Sequence, residues 1–329
     1  MWRRLVELTS AKEDGLSFAI FRALIGVCLL ATVGTVIAHG LVPIIWIDRE
    51  WGGYRTLGDR SWIVTLLGGP RPEAVWLVIA MALASGVALT IGLGGRFTAL
   101  VASQSWLALS LLNGHCGGSY DELLSNAIWL LVLGPCTRTL SLDSRIRTGR
   151  WLSAEPIGTW ARYLVVFQLV VVYCSTGSQK LSAYWTPVGG FSALYYILQQ
   201  PSWQRTDMSF LAYVYPLTQV ATATTWMWEL TSPLLLVSMW LRAHPDRGGR
   251  VRRFLTRIDY RIPFCIVGVG MHLGIQALMN VGPFSFVSLS YYVAIWRPDE
   301  IAAVARRFAR SRARGAHNSS APATRIVTT

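Results

Sequence analysis

Long apolar runs constrain this chain more than anything else in it. Residues 18–38, 74–93 and 160–173 carry at most one charged side chain each, and runs near 20 residues match the thickness of a bilayer's hydrocarbon core. Lipid offers backbone polar groups no partners, so only helices or a closed barrel can cross it. A barrel would show short segments of alternating polarity; continuous runs select helices. The expected fold class is therefore all-α, a polytopic integral membrane helix bundle. Hydropathy predicts about eight transmembrane helices, near 18–39, 73–95, 97–113, 120–136, 160–179, 220–241, 262–280 and 283–296, the fourth and eighth being short. The first run is too long for a signal-peptide core and lacks a small-residue cleavage site, so it reads as a retained span.

Charge gives an independent check on that count. Only 14% of the 329 residues are charged, against about 25% in a soluble domain. The net charge of +13 is almost all arginine, Lys12 and Lys180 being the only lysines. The arginines gather between spans: Arg3 and Arg4 before the first, Arg96 between the second and third, Arg138, Arg145, Arg147 and Arg150 after the fourth. Arg242, Arg250, Arg252, Arg253, Arg257 and Arg261 follow the sixth, and Arg306, Arg307 and Arg310 the eighth. Eight spans put all of them on one side, and the positive-inside rule makes that side cytoplasmic. The expectation is a multi-pass cell-membrane protein with both termini cytoplasmic and the lipid bilayer as its partner. No basic domain stands apart from the apolar runs, which argues against nucleic acid. The opposite side receives Asp48, Glu50, the acidic 117–122 loop and the segment 182–219. That segment is rich in Trp and Tyr, which favour the headgroup level, so part of it near 191–199 is expected to lie in the interface. Residues 1–298 read as the membrane domain. Residues 299–329 read as an Arg-rich cytoplasmic tail, amphipathic over 301–313 and disordered at its polar end.

Five scattered cysteines, with no CxxC and no paired His or carboxylate at ligand spacing, give no reason to expect a disulfide framework or a metal site. Ionisable groups inside spans are costly and so become candidates. Arg22 lies near the start of the first span and reads as structural. Glu229 sits deeper in the sixth, followed by Thr231, Ser232 and Pro233, and reads equally as a buried acid paired with Arg22 or His272 or as a site residue. Lys180 ends the small, polar stretch 173–180 and is followed by Trp185. Apolar walls strip hydration from an ammonium and make the neutral amine, a usable base, easier to reach. An interfacial lysine reaching for headgroups is the competing account. His272, Gln276 and Asn280 recur every fourth residue and so share one helical face. A polar stripe inside a span faces a cavity, a ligand or another helix. Lys180, Glu229 and His272 are expected to converge on one cavity in the extracytoplasmic half, roofed by the aromatic segment.

The order of several loose motifs resembles the HTTM family, the membrane domain related to vitamin K-dependent γ-glutamyl carboxylase. They are Phe21-Arg22-x-x-x-Gly26, Gly94-Gly95-Arg96, Gly117-Gly118-Ser-Tyr-Asp121-Glu-Leu-Leu124 and Leu140-Ser-Leu-Asp143. Gln179-Lys180-Leu181 with Trp185, and His272 through Met279-Asn280-x-Gly282-x-Phe284, complete the series. The resemblance implies Lys180 as the base acting on a reduced, vitamin K-like quinone, with His272 near it as a second catalytic residue; Trp185, Glu229, Gln276 and Asn280 are the residues expected around the cofactor. The carboxylase carries a large extracytoplasmic domain after its membrane region, whereas this sequence stops soon after its eighth expected span. Its size is closer to a shorter branch that resembles the B component of the sporulation-delaying-protein system, which implies maturation of a secreted peptide alongside other membrane components. Three functions follow as expectations: carboxylase-like chemistry on a quinone or peptide; a non-catalytic component for maturation, export or immunity of a secreted antimicrobial peptide; or a proton-coupled transporter using Glu229 and His272. No internal repeat supports the last.

Overall fold

Each apolar run forms a helix in the computed structural model, which describes residues 2–58, 61–243 and 249–319. The first half of the chain contains α1 (Trp2–Ser10), α2 (Leu16–Ala38), α3 (Val42–Ile45), α4 (Trp62–Leu66), α5 (Pro72–Ile91), α6 (Gly95–Ser110), α7 (Ser119–Leu133) and α8 (Leu142–Thr148). The second contains α9 (Trp160–Gln179), α10 (Ala193–Leu198), α11 (Tyr215–Leu230), α12 (Pro233–Ala243), α13 (Arg250–Arg257), α14 (Arg261–Leu278), α15 (Phe284–Ser290) and α16 (Pro298–Ser319). Among the described residues, four helices are long and apolar enough to cross a membrane: α2, α5, α9 and α14. The other expected spans correspond to shorter pieces. Helices α6 and α7 have 16 and 15 residues, and α15 continues only as a 3-10 turn to Ile295. The predicted span over 220–241 is broken. Pro233 lacks an N–H and cannot continue α11, so α12 restarts there; the Glu229 carbonyl, which residue 233 would have served, accepts from the Ser232 N–H at 3.2 Å instead.

Helices α2, α5, α6 and α7 pack in sequence order, each on the next. The α2–α5 approach is close because Gly26 has no side chain; a Cβ there would lie 2.7 Å from the Thr90 nitrogen and 2.9 Å from the Gly86 oxygen. Small residues let membrane helices bring their backbones together in this way. Helix α9 packs on α11, α12 and the 3-10 turn Tyr291–Ile295, while α14 meets α11 and α15. Phe21, Ile25, Leu29, Leu124, Val165 and Leu169 bury fully where these groups meet.

Two features depart from the sequence reading. The segment before the first span, where the sequence showed only charge, forms a strand: β1 (Lys12–Asp14) pairs antiparallel with β2 (Pro156–Gly158), in the register Glu13 with Ile157. Glu13 then accepts from the buried Arg162 guanidinium at 2.7 and 2.9 Å. The tail is helical from Pro298 to Ser319, so the helix runs through residues 314–319 of its expected disordered end; 320–329 lie outside the described residues. The aromatic segment 182–219 forms 3-10 turns and the short α10, with its own apolar core of Leu198, Met208 and Leu211 against Met279.

Candidate functional site

Helix α9 carries Tyr173, Gly177 and Lys180 at spacings of four and three, so all three lie on one face. At its C-terminal end the Lys180 ammonium forms an ion pair with the Glu229 carboxylate of α11. The Lys180 side chain is 19% exposed and that of Glu229 only 8%. Gly177 makes the pair possible: a Cβ there would come within 2.8 Å of the Glu229 Cβ and 3.1 Å of the Leu230 nitrogen. The Lys180 Nζ also stands 4.4 Å from the centre of the Trp185 ring, a cation–π arrangement. Beyond it, rings of the 182–219 segment touch in series, Tyr184 with Tyr196, Tyr196 with Tyr195 and Tyr195 with Tyr215, at 5.0–5.5 Å between centres. The site therefore pairs one flexible cation with one carboxylate, under an aromatic cover.

Two helical turns from Lys180, ~10 Å along α9, lies a second polar group. The Tyr173 hydroxyl is 2.7 Å from His272 Nε2 and 3.1 Å from the Tyr292 hydroxyl. Tyr173 packs on the Trp228 ring at 4.4 Å, next in sequence to Glu229. Gly268 leaves room for this arrangement, since a Cβ there would run into the Tyr292 hydroxyl and the Trp228 ring. His272 is fully buried, yet its Nδ1 has no partner among the described residues, and neither has Gln276 Oε1.

Lys180, Glu229 and Trp185 thus meet, and His272 stands two turns away along α9, on Tyr173. Asn280 does not join them. Helix α14 ends at Leu278 and Met279 is extended (φ −121°, ψ 148°), which ends the four-residue rhythm. Asn280 is left exposed, its backbone N–H donating to the Trp203 carbonyl at 2.8 Å. Neither Arg22 nor His272 pairs with Glu229. Arg22 instead donates to the carbonyls of Leu140 (2.7 Å), Cys136 (3.2 Å) and Thr90 (3.5 Å). Asp143 accepts from the Gly94 N–H at 3.0 Å, and Asp121 accepts from the Gly118 N–H at 2.9 Å. Four of the sequence motifs are therefore joints of the scaffold. Tyr173, Trp228 and Tyr292 carry roles that the sequence reading did not assign. The shared face of Tyr173 and Lys180 was visible in their spacing; Tyr292 sits in an all-apolar turn that gives no such signal.

Two clefts lie away from the cluster. One of about 290 Å³ is bordered by Arg55, Asn113 and His115. The other, about 710 Å³, is lined by Glu13, Arg162, Arg261 and Glu300. It lies at the opposite end of α9 from Lys180, ~27 Å away.

A family model, the HTTM domain, matches residues 11–243. The chain belongs to the HTTM family. The match includes Lys180, Trp185 and Glu229 and stops before His272 and Gln276. No curated protein and no solved structure matches the chain. As an HTTM protein with long apolar helices, it is a membrane protein of the carboxylase-like family.

Proposed function

We propose that this HTTM protein is a membrane enzyme in which Lys180 is a proton-accepting base, acting with a reduced quinone near the extracytoplasmic face. The observation that carries the reading is the Lys180–Glu229 pair, sunk at a helix end against the Trp185 ring. About eight crossings, with both termini in the cytoplasm, accord with Arg242, Arg261 and Arg297 lying beside Arg162 at one end of α9 and Lys180 at the other. A secreted peptide is the proposed final substrate.

The residues present fit an aromatic, hydroxyl-bearing cofactor: Trp185 and Tyr184 offer ring faces, and His272 Nδ1 and Gln276 Oε1 are buried polar atoms with no partner among the described residues. When bound, a reduced quinone supplies an acidic hydroxyl and reducing equivalents. Lys180 can take a proton only as the neutral amine. Glu229 is the group placed to free it, since one proton shift along their hydrogen bond turns the ion pair into amine and carboxylic acid. Excluding water favours the neutral pair, because two opposite charges lose solvation together. The proton accepted next at Nζ leaves an ammonium beside Glu229.

The test uses the protein in nanodiscs with menadiol as the probe, following oxygen-dependent oxidation. Lys180→Ala should lower the rate by about 10²–10⁴, the usual worth of a positioned base. Lys180→Arg keeps the charge but cannot surrender its proton, so it should be nearly as inactive. Full activity of the Arg variant, at normal expression, would reduce Lys180 to an anchor and overturn the reading.

A further inference from the structure

Tyr173, Tyr292 and His272 form a hydrogen-bonded row whose hydrogens can be assigned by counting. The Tyr292 hydroxyl has one hydrogen, and Tyr173 is its only hydroxyl partner in the row, at 3.1 Å. If Tyr292 donates to Tyr173, the Tyr173 hydrogen is left for the one remaining acceptor, His272 Nε2, at 2.7 Å. A nitrogen that accepts carries no hydrogen, so the imidazole proton resides on Nδ1. In the opposite sense Nε2–H donates to Tyr173 and Tyr173 to Tyr292, which leaves the Tyr292 hydrogen without a place in a buried site.

The consequence lies on the other side of the ring. Among the described residues Nδ1–H is a buried donor with no partner, and Gln276 Oε1, one turn along the same face of α14, is a buried acceptor with none. Ser285 Oγ, on the adjoining α15 and 1% exposed, is likewise unpartnered. Phe284 flanks the imidazole at 5.5 Å between ring centres. Leaving one such group unsatisfied is costly, and a folded chain seldom keeps several together without a ligand to meet them.

We infer that His272 Nδ1–H and Gln276 Oε1 form a two-point subsite for a hydroxyl on an apolar ring, with Tyr173 and Tyr292 as positioning residues that hold His272 in the Nδ1–H tautomer. A hydroxyl matches both points, accepting from Nδ1–H and donating to Oε1. A ketone or ether oxygen matches only the first. The subsite would therefore distinguish a reduced, hydroxyl-bearing ring from its oxidised form. The inference rests on the proposed quinone reading for the identity of the ring, but not for the tautomer or the hydroxyl preference.

Both can be read without turnover, on the full chain in nanodiscs. Histidine-selective ¹⁵N spectra should show His272 protonated at Nδ1 in the native protein and moved toward the Nε2–H form in Tyr173→Phe, which removes the donor to Nε2. Binding of 2-naphthol, followed by tryptophan quenching, should be about tenfold tighter than binding of 2-methoxynaphthalene. Gln276→Met should erase that difference while leaving methoxynaphthalene binding unchanged. An Nε2–H tautomer in the native protein, or equal affinity for the two probes, would overturn the inference. A water held between Nδ1 and Oε1 would appear as equal affinity, because neither probe then reaches the pair. Loss of activity in Lys180→Arg bears on the base alone, so the two readings fail separately.

Discussion

The two ends of α9 hold charge in different ways. At one end Arg162 and, nearby, Arg261 are each 3% exposed and held by several oxygens: Arg162 by both oxygens of Glu13, Arg261 by Asp259 and by both oxygens of Glu300. Arg261 also lies over the Trp296 ring. At the other end Lys180 has one carboxylate and one ring. A guanidinium is a planar fork that stays protonated; an ammonium is a point charge on a flexible stem that can give its proton away. One end is built to keep its protons and the other to exchange one. Arg22, clamped by three carbonyls, belongs to the first kind despite lying inside a span.

The sharpest way to break this contrast is Arg261→Met. It leaves Asp259 and Glu300 without their shared cation in a crowded place, and removing one partner of such a pair costs about 3–5 kcal/mol. Chemical denaturation in detergent should register that loss, whereas Lys180→Met should cost much less stability while removing activity. An Arg261 variant as stable as the native protein would show that the arginine end is not a scaffold.

Gly177→Val comes next. The added methyls meet Glu229 and the Leu230 backbone, and overpacking of this kind costs about 1–3 kcal/mol. It should also separate Lys180 from Glu229, so that activity falls although neither charged residue has changed. Retained activity would mean that the pair re-forms across a wider gap.

Acid should act on the arginine end by a smaller amount. Burial pushes Asp259 and Glu300 up, but hydrogen bonds from Arg261 and its charge outweigh that and hold both below their ordinary values. Carboxyls with lowered values contribute stability that is fully present above their unfolded range, near pH 4, and is lost as pH falls through the folded values. Thermal midpoints should therefore hold from pH 7 to about 5 and decline below 4, and Arg261→Met should flatten that decline. The smallest effect belongs to Glu155, which Arg147 and Arg138 hold low from exposed positions. Exposed ion pairs are worth little, and Glu155→Gln should leave the midpoint unchanged.

Much of this was legible because crossing a membrane demands length and apolarity together, which hydropathy reads directly in α2, α5, α9 and α14. The break at Pro233 was visible as a proline with Thr231 and Ser232 beside it, though not as two helices. The partner of Glu229 was not legible. It lies on another helix, and Arg22, His272 and Lys180 were equally available until the packing at Gly177 set which one reached it. Nor was the β1–β2 pairing, since three polar residues have no alternation to read. The motifs shared in order with the family pointed mainly to scaffold joints, such as Arg22 on Leu140 and Asp143 on Gly94, because backbone carbonyls and tight turns restrict residue choice as strongly as chemistry does.

That pairing has a consequence in time. Lys12 and Gly158 are separated by nearly half the chain, and a ribosome adding 5–20 residues per second needs on the order of ten seconds to make the difference. Throughout that interval the first strand has emerged and has nothing to pair with, while α2 through α7 are already entering the bilayer. Glu13 waits equally long for Arg162. The clip can close only behind the completed first half, so it fastens a bundle already threaded rather than guiding its threading. A nascent chain halted before residue 156 should hold its N-terminal segment open to protease, and one released beyond 165 should protect it.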